Sequence, residues 1–411
     1  MTSRDRPQTD DSPPAAGVPV LISGAGVAGL TAAYWLAEGG FHPILIERSP
    51  DLLARGHAVD LWGSAVEILS HMGIEEHVSA KALHNRTGIT MTDRHRSVTD
   101  LDRLSSHIHP RHIEVMRPHL ISCLADALGD RATWLFGRQI RRVEQKADMI
   151  RVMLDDGASL SGACLVGADG VDSAVRALAF DVADRAERPL GITLGVWTGP
   201  APQTLGTGIS RYVAPGRTLA AFRLEEGGKA SIITLIRTGN GSHDADPRAA
   251  ILRSFAAAPE PVAALAASAC GAGDFHGGAV RSVEMHRWHR GRVALVGDAG
   301  FAPGAAVGGG TGLAVLTAYC LAKELRAAPV RDALARYTQG VAGLADAAAG
   351  IGPAMAKSLV PSSRAAAWAA VALPPLLTRL PPRLRRHIPI LPRAARKGLR
   401  AIAYHPAGDL K

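Results

Sequence analysis

The stretch after the polar N-terminus constrains the fold more than any other. Val18-Pro-Val-Leu-Ile-Ser23 is an apolar run of strand length, and Gly24-Ala-Gly26-Val27-Ala28-Gly29 follows without a spacer. Leu30 to Ala37 continues as a helix without breakers, and Gly39-Gly40 ends it. His42-Pro-Ile-Leu-Ile-Glu47 is a second strand that closes on an acid. GxGxxG between a strand and a helix, with a carboxylate at the end of the next strand, predicts a βαβ unit that binds a dinucleotide. Gly24 permits the tight turn, Gly26 lets a pyrophosphate approach, and Gly29 lets the helix pack close to the sheet. Val27 and Ala28, inside the same fingerprint, count among the cofactor-binding positions. Glu47 accepts from the two hydroxyls of an adenosine ribose. Arg48 has two readings, a partner for a 2′-phosphate or a surface arginine beside the ribose. The second is favoured, because Glu47 would repel the phosphate.

Two more strands end in the same manner. Ala163-Cys-Leu-Val-Gly-Ala-Asp169-Gly170 is followed by Ser173 and Arg176 in the next helix turn. Val293-Ala-Leu-Val-Gly297-Asp298 leads into Gly304, Gly308, Gly309, Gly310 and Gly312, and then into an apolar helix from Leu313 to Leu325. A strand, a carboxylate, a glycine turn and a helix N-terminus make a place for a polar, partly anionic cofactor. Gly297, Asp298, Gly308, Gly310 and Thr311 are its candidate ligands. In a doubly wound sheet the three strand ends meet at the carboxyl edge, where ligands bind.

Between these sites the signals are weaker. Arg55-Gly-His-Ala-Val-Asp60-Leu-Trp-Gly63 leads into a helix from Ser64 to Met72. Residues from about 86 to 113 read as antiparallel strands and a loop. His107, His109 and His112 lie together there, but no carboxylate or cysteine has matching spacing, so a histidine-rich loop is the reading and not a metal site; His286 and His289 are read likewise. Glu114-Val-Met-Arg117-Pro118 begins a helix that runs to about Leu128. Arg117 is either a cofactor contact or a surface residue. Trp134–Phe136, Ile140–Glu144 and Ile150–Leu154 look like a small meander, with Asp156-Gly157 as a hairpin turn. From Pro189 to about Gly278, β-like runs broken by glycines predict a separate antiparallel sheet over the cofactor edge. Trp197, Tyr212 and Phe222 either line an organic-substrate pocket there or pack its core. After Ile351 the chain is rich in proline, arginine and alanine and reads as short helices with a basic outer face. The expected organisation is a disordered tail over 1–17, a discontinuous dinucleotide domain from 18–85, 113–188 and 279–350, a substrate domain from 86–112 and 189–278, and a helical extension over 351–411.

Composition excludes some classes. The formal charge of +9 over 411 residues invites nucleic acid, but only 4% of residues are aromatic, the arginines are scattered, and no nucleic-acid-binding motif occurs. Cys123, Cys164, Cys270 and Cys320 are far apart, which fits neither a zinc site nor a disulfide scaffold and points to a reducing cytoplasm. The N-terminus lacks the apolar core of a signal peptide, and no apolar run is long enough to span a bilayer. Oligomeric state is not legible.

Taken together, Gly24–Gly29 with Glu47-Arg48, Gly167-Ala-Asp-Gly-Val-Asp-Ser-Ala-Val-Arg176, and Gly297-Asp298-Ala299 resemble the para-hydroxybenzoate hydroxylase family of FAD-dependent aromatic monooxygenases. The resemblance covers Val18 to about Leu325. Arg55–Gly63 and Met116-Arg117 look most like the branch that includes tetracycline-modifying monooxygenases. The resemblance implies an α/β fold: a Rossmann-type FAD-binding domain, an inserted antiparallel β-sheet substrate domain and a C-terminal helical extension. It implies that Glu47 binds the adenosine ribose, that Asp60 and Arg117 contact FAD, that Asp298 binds the ribityl chain, and that Arg55 touches the nicotinamide cofactor. Asp169-Gly170 would serve both FAD and NAD(P)H. Only one complete dinucleotide fingerprint exists, so NAD(P)H (NADH or NADPH) would visit transiently. In this family NAD(P)H reduces FAD, oxygen adds at flavin C4a, and the hydroperoxide oxygenates an electron-rich substrate, here an aromatic or polyketide-like small molecule of natural-product biosynthesis. The cofactor performs that chemistry, so no protein nucleophile is expected. One departure stands out. The family reads G-D-A-A-H, then a proline four residues after the histidine. This chain has Gly300, Phe301 and Ala305 at those positions, with Pro303 two residues before Ala305. The alternative it opens is a flavin-bound redox-neutral cyclase, or an FAD oxidase.

Overall fold

The structure is a computed structural model, and it describes residues 17–52, 56–83, 87–105, 108–206, 208–224, 228–238, 246–379 and 391–406. The expected N-terminal tail lies, but for Gly17, outside the described residues. The first half of the chain runs β1 (Pro19–Ser23), α1 (Val27–Glu38), β2 (His42–Glu47), β3 (Ala58–Trp62), α2 (Ser64–His71), α3 (Glu75–Ser79), β4 (Thr87–Met91), β5 (Arg96–Asp100), α4 (Leu101–Ser105), β6 (His112–Met116), α5 (Arg117–Leu128), β7 (Thr133–Phe136), β8 (Ile140–Gln145), β9 (Ile150–Leu154), β10 (Ser159–Gly162), β11 (Leu165–Gly167) and α6 (Ala174–Ala179). Next come β12 (Arg185–Pro200), β13 (Ile209–Ala214), β14 (Arg217–Arg223), β15 (Lys229–Arg237), α7 (Pro247–Phe255), α8 (Val262–Ala267), β16 (His276–Met285), β17 (His289–Arg290) and β18 (Val293–Leu295). Helices complete the chain: α9 (Asp298–Phe301), α10 (Gly310–Ala327), α11 (Val330–Ala349), α12 (Ile351–Leu359), α13 (Arg364–Arg379) and α14 (Arg393–Ala403).

β1 sits inside a six-stranded sheet of order β17-β18-β11-β1-β2-β7, parallel except for β17. Val20, Leu21 and Ile22 are fully buried, so both faces of the strand are covered, as its unbroken apolar sequence requires. α1 and α10 share one core with the sheet through Leu30, Leu36, Leu313 and Leu316. The register decides where the motifs emerge. Ile46, Ser23, Gly167 and Leu295 lie level across the sheet. Glu47, Gly24, Asp169 and Asp298 therefore leave it at one edge, each within three residues of that line.

Two local expectations differ from the structure. Trp134–Phe136 is not part of the meander: β7 pairs in parallel with β2, Phe136 opposite Glu47, and the meander is β8–β9–β10. Residues 114–116 are strand, not helix, because β6 pairs with β3, Asp60 opposite Glu114; the helix starts at Arg117.

The second sheet has seven strands in the order β16-β12-β15-β14-β13-β4-β5. α7 and α8 pack on one face, in a layer with Trp197, Tyr212, Leu219 and Ile232. Ile192, Leu194, Val196 and Val280 pack on the other, against Ala356 of α12 and Val360. β16 crosses the boundary drawn at residue 279 in one continuous strand. The chain then closes over the first domain: Leu399 and Ile402 of α14 cover the glycine turn before α10, and a Cβ at Gly312 would lie 2.8 Å from Ile402.

Candidate cofactor and active site

The three fingerprint glycines do different work. Gly24 adopts φ +101°, and a Cβ there would lie 2.6 Å from the Ala168 carbonyl oxygen. At Gly29 it would lie 1.9 Å from the Gly24 oxygen. Both positions are closed by backbone. At Gly26, by contrast, the nearest atom is an Arg117 guanidinium nitrogen at 3.5 Å. The slot at Gly26 thus has the N-terminus of α1 on one side and a cation on the other, which suits a pyrophosphate. Glu47 pins this turn: Oε2 accepts the Ala25 N–H at 2.8 Å and Oε1 the Ser49 N–H at 2.9 Å. Each carboxylate oxygen keeps accepting capacity beyond these bonds.

Arg117 is placed by its backbone N–H, which donates to the His57 carbonyl at 3.1 Å. Among the described residues no ion pair or hydrogen bond engages its guanidinium. Its field reaches Asp298, the first residue of α9. Asp298 opens to the crevice surface but has protein crowded around it. That crowding raises its carboxyl above the usual range, and Arg117 pulls it back. No described donor bonds to Asp298, and a Cβ at Gly310 would lie 3.4 Å from its Oδ1. The carboxylate therefore stands beside the N-terminus of α10, next to half-buried Thr311 and to Gly308 and Gly309, which take φ +93° and +84°.

The turn that carries Asp298 is held from three directions. The Gly297 N–H donates to Thr317 Oγ1 at 2.9 Å, and that hydroxyl donates to the Leu313 carbonyl at 2.6 Å. Tyr337 donates to the Leu295 carbonyl at 2.7 Å. Arg176, only 2% exposed, donates to Ala299 O at 2.8 Å and Val171 O at 2.6 Å, and pairs with Glu187 at 3.1 Å. Burial lowers the Arg176 pKa and Glu187 supports it. Asp169 is occupied by its own helix: Oδ1 accepts from the Ser173 hydroxyl and Oδ2 from the Val175 N–H at 3.1 Å. Burial pushes this carboxyl up, and those donors oppose the push. The departure after Asp298 has a packing cause. Phe301 stacks on Trp288 at 5.2 Å and 6°, and a Cβ at Gly300 would meet Leu295 and Trp288 at 3.1 Å. Ala306, in the same turn, takes φ +59°.

The other expected positions divide. Arg48 is exposed. Asp60 accepts from, or pairs with, His112 Nε2 at 2.7 Å, and His112 stacks on Trp62. His112 thus belongs to a strand pair and not to a histidine loop. Arg55 and His107 lie outside the described residues. For Trp197 and Tyr212 the core-packing reading holds and the pocket-lining one does not: they face α7 and α8, where Trp197 donates to Ser268 at 2.9 Å and Tyr212 to Asp93 at 2.6 Å. Strand alternation puts the other face in contact with α12 and α13. Phe222 is on that face, with Thr218, whose hydroxyl donates to the Leu359 carbonyl at 2.6 Å. A row of paired residues crosses it: His276, Val196, Ile233, Ala220, Arg211 and Thr90. His276 lies within electrostatic reach of His57.

His57 joins the two halves. Burial, Arg117 and His276 lower its pKa to about 4, against the pull of Asp60. It is neutral at physiological pH. Because the folded pKa lies below the unfolded value, the native state binds fewer protons between pH 6.5 and 4, and His57 costs stability as pH falls through that window. In His57→Asn, unfolding measured across that range is expected to lose acid sensitivity, by up to about 1.4 kcal/mol per pH unit for one proton. Parallel wild-type and variant curves would contradict the assignment.

Residues 17–345 match the protein family described as FAD binding domain. The chain belongs to this FAD-binding family. Its curated relatives include protein Rv1260 of Mycobacterium tuberculosis, 33% identical over 336 residues, covering 75% of this chain and 85% of that one. Monooxygenase CTB7 of Cercospora beticola is 28% identical, covering 75% and 79%. Among solved structures, tetracycline destructase Tet(55) is similar at TM-score 0.77 and 26% identity, covering 92% of this chain and 98% of that one. Klebsiella pneumoniae HpxO, solved with FAD and uric acid, shares the fold at TM-score 0.72 and 22% identity.

The flavoprotein's own residues fit FAD. An open slot between a helix N-terminus and Arg117 meets the charge of the pyrophosphate, and the Asp298 carboxylate is an acceptor with no described donor. Sequence reasoning passed over Thr317, Tyr337, His57 and Arg211. A lone threonine in the apolar run 313–322 was the available signal for the first.

Proposed function

We propose that this flavoprotein is a monooxygenase that uses NAD(P)H and O2 to hydroxylate or otherwise oxygenate an aromatic or polyketide-like small molecule, in natural-product biosynthesis. One observation carries the reading: a single complete dinucleotide fingerprint, with a largely apolar sheet face set apart from the α7–α8 core, so that one cofactor is housed and the nicotinamide is a visitor. FAD, when bound, supplies the electron transfer and oxygen chemistry. Gly24, Gly26, Val27, Ala28 and Gly29 cradle the pyrophosphate, with Arg117 opposite. Glu47 takes the adenosine ribose, with Arg48 beside it. Asp298 takes the ribityl hydroxyls. The N–H groups of Gly310 and Thr311, after Gly297 and Gly308 have turned the chain, favour negative charge on the reduced ring. Asp60 and Asp169 act through the elements they brace, and Arg55 meets the nicotinamide cofactor. The substrate meets this face at its accessible end, near Ile233 and His276, with the buried Phe222 and Val196 behind it. Names of relatives support the class: CTB7 and several bacterial and fungal proteins are called monooxygenases. The scattered free cysteines support a reducing, cytoplasmic setting.

The Phe301–Trp288 stack and Ala305 favour one second reading, a redox-neutral cyclase or an oxidase. Oxygen-electrode and NAD(P)H assays over polyphenol and polyketide panels separate them. The expected result is substrate-stimulated NAD(P)H loss, matching oxygen uptake, and a product heavier by one oxygen atom. A product of unchanged mass without oxygen uptake would identify the cyclase, and a product lighter by two hydrogens, formed with one peroxide each and no NAD(P)H, the oxidase.

A further inference from the structure

α13 has an unusual surface. At 100° per residue Ala365, Trp368, Ala369, Ala372, Leu373 and Leu376 share one broad arc, opposite buried Ala367 and Val371. Trp368, Leu373 and Leu376 are 48%, 46% and 57% exposed. No charged side chain interrupts the helix between Arg364 and Arg379. A helix apolar on its solvent face is normally buried against something.

The surroundings indicate what covers it. Arg364 and Arg379 end the helix. The turn between β4 and β5 brings exposed Arg94, His95 and Arg96 alongside, the His95 ring 6.4 Å from that of Trp368. The acids of that hairpin are engaged: Asp93 accepts from Tyr212 and Asp100 pairs with Arg103. Asp93 keeps its charge, but Arg94, Arg96, Arg364 and Arg379 outnumber it, so the rim is net cationic around an apolar centre. A second copy of the chain would bring the same positive rim against itself. An anionic bilayer complements both parts, since Trp and Leu enter the headgroup boundary while Arg stays at the phosphates. The helix cannot cross: its 16 residues extend about 24 Å, short of the roughly 30 Å hydrocarbon core, and Pro374 and Pro375 lie inside it. We infer that the exposed face of α13, rimmed by Arg94, Arg96, Arg364 and Arg379, docks this protein on an anionic lipid surface. This inference does not depend on the reaction proposed above.

The test is sedimentation of the FAD-loaded full chain with vesicles of phosphatidylcholine alone or mixed with phosphatidylglycerol. Binding is expected on the mixed vesicles and should weaken with added salt. Trp368→Ser with Leu376→Glu should lower partitioning about tenfold or more, and Arg94→Gln with Arg96→Gln about tenfold, both with wild-type flavin spectra and melting curves. Equal binding to both vesicle types, binding to neither, or no effect of Leu376→Glu would overturn the inference. So would a dimer in sedimentation velocity that Leu376→Glu dissociates, without lipid binding, since that would assign the face to a second copy.

Discussion

Asp298→Ala is expected to strip the protein of FAD. The carboxylate stands beside Gly310 at the start of α10, and no described donor bonds to it. It is thus free to accept from hydroxyls of a bound cofactor. A hydrogen bond to a charged acceptor contributes about 1.5–3 kcal/mol, or roughly ten- to 150-fold in dissociation constant for each bond lost. The alanine variant also leaves Arg117 without the nearby negative field that now balances it. Asp298→Asn keeps shape and one acceptor oxygen, so its loss should be intermediate. Titration of apoprotein with FAD, followed by flavin fluorescence, measures all three constants. An unchanged constant in the alanine variant would move the ribityl site elsewhere.

Arg176→Met should have the largest effect on stability. The guanidinium is buried and serves two carbonyls and Glu187, joining the loop after β11 to the turn that carries Asp298. Methionine fills similar volume without donors, so Ala299 O and Val171 O lose their charged partner inside the protein. The expected cost is about 3 kcal/mol or more, read as a lower denaturation midpoint at unchanged m-value. FAD affinity should fall with it, because the Ala299 carbonyl is the rear anchor of the Asp298 turn. A change within about 0.5 kcal/mol would mean that water satisfies those carbonyls, and that the brace is dispensable.

Local patterns carried most of what was legible. GxGxxG is a short-range signal: the clash of a Cβ at Gly29 with the Gly24 oxygen involves residues five apart. Asp169 and Asp298 could be read because each follows an apolar run, and strand ends of a parallel sheet collect at one edge. What stayed open or was misread depends on distant partners. Trp197 and Tyr212 sit on a sheet covered on both faces, so Val196 is as apolar as Trp197 and alternation has no polar side to orient it. Trp134–Phe136 could pair with the next strand or with β2, and only the assembled sheet decides. His57 gains its environment from Arg117 and His276, each far away in sequence, so its neutrality has no local signature.

α14 lies on the glycine turn at the start of α10, with Leu399 and Ile402 against Gly309 and Ala403 against Gly63. The segment that seals this clasp thus lies far along the chain from the turn it covers. A chain that stops before residue 393 would leave the glycine turn uncovered without changing any residue of it, and titration of that variant with FAD should show weaker binding than the full chain.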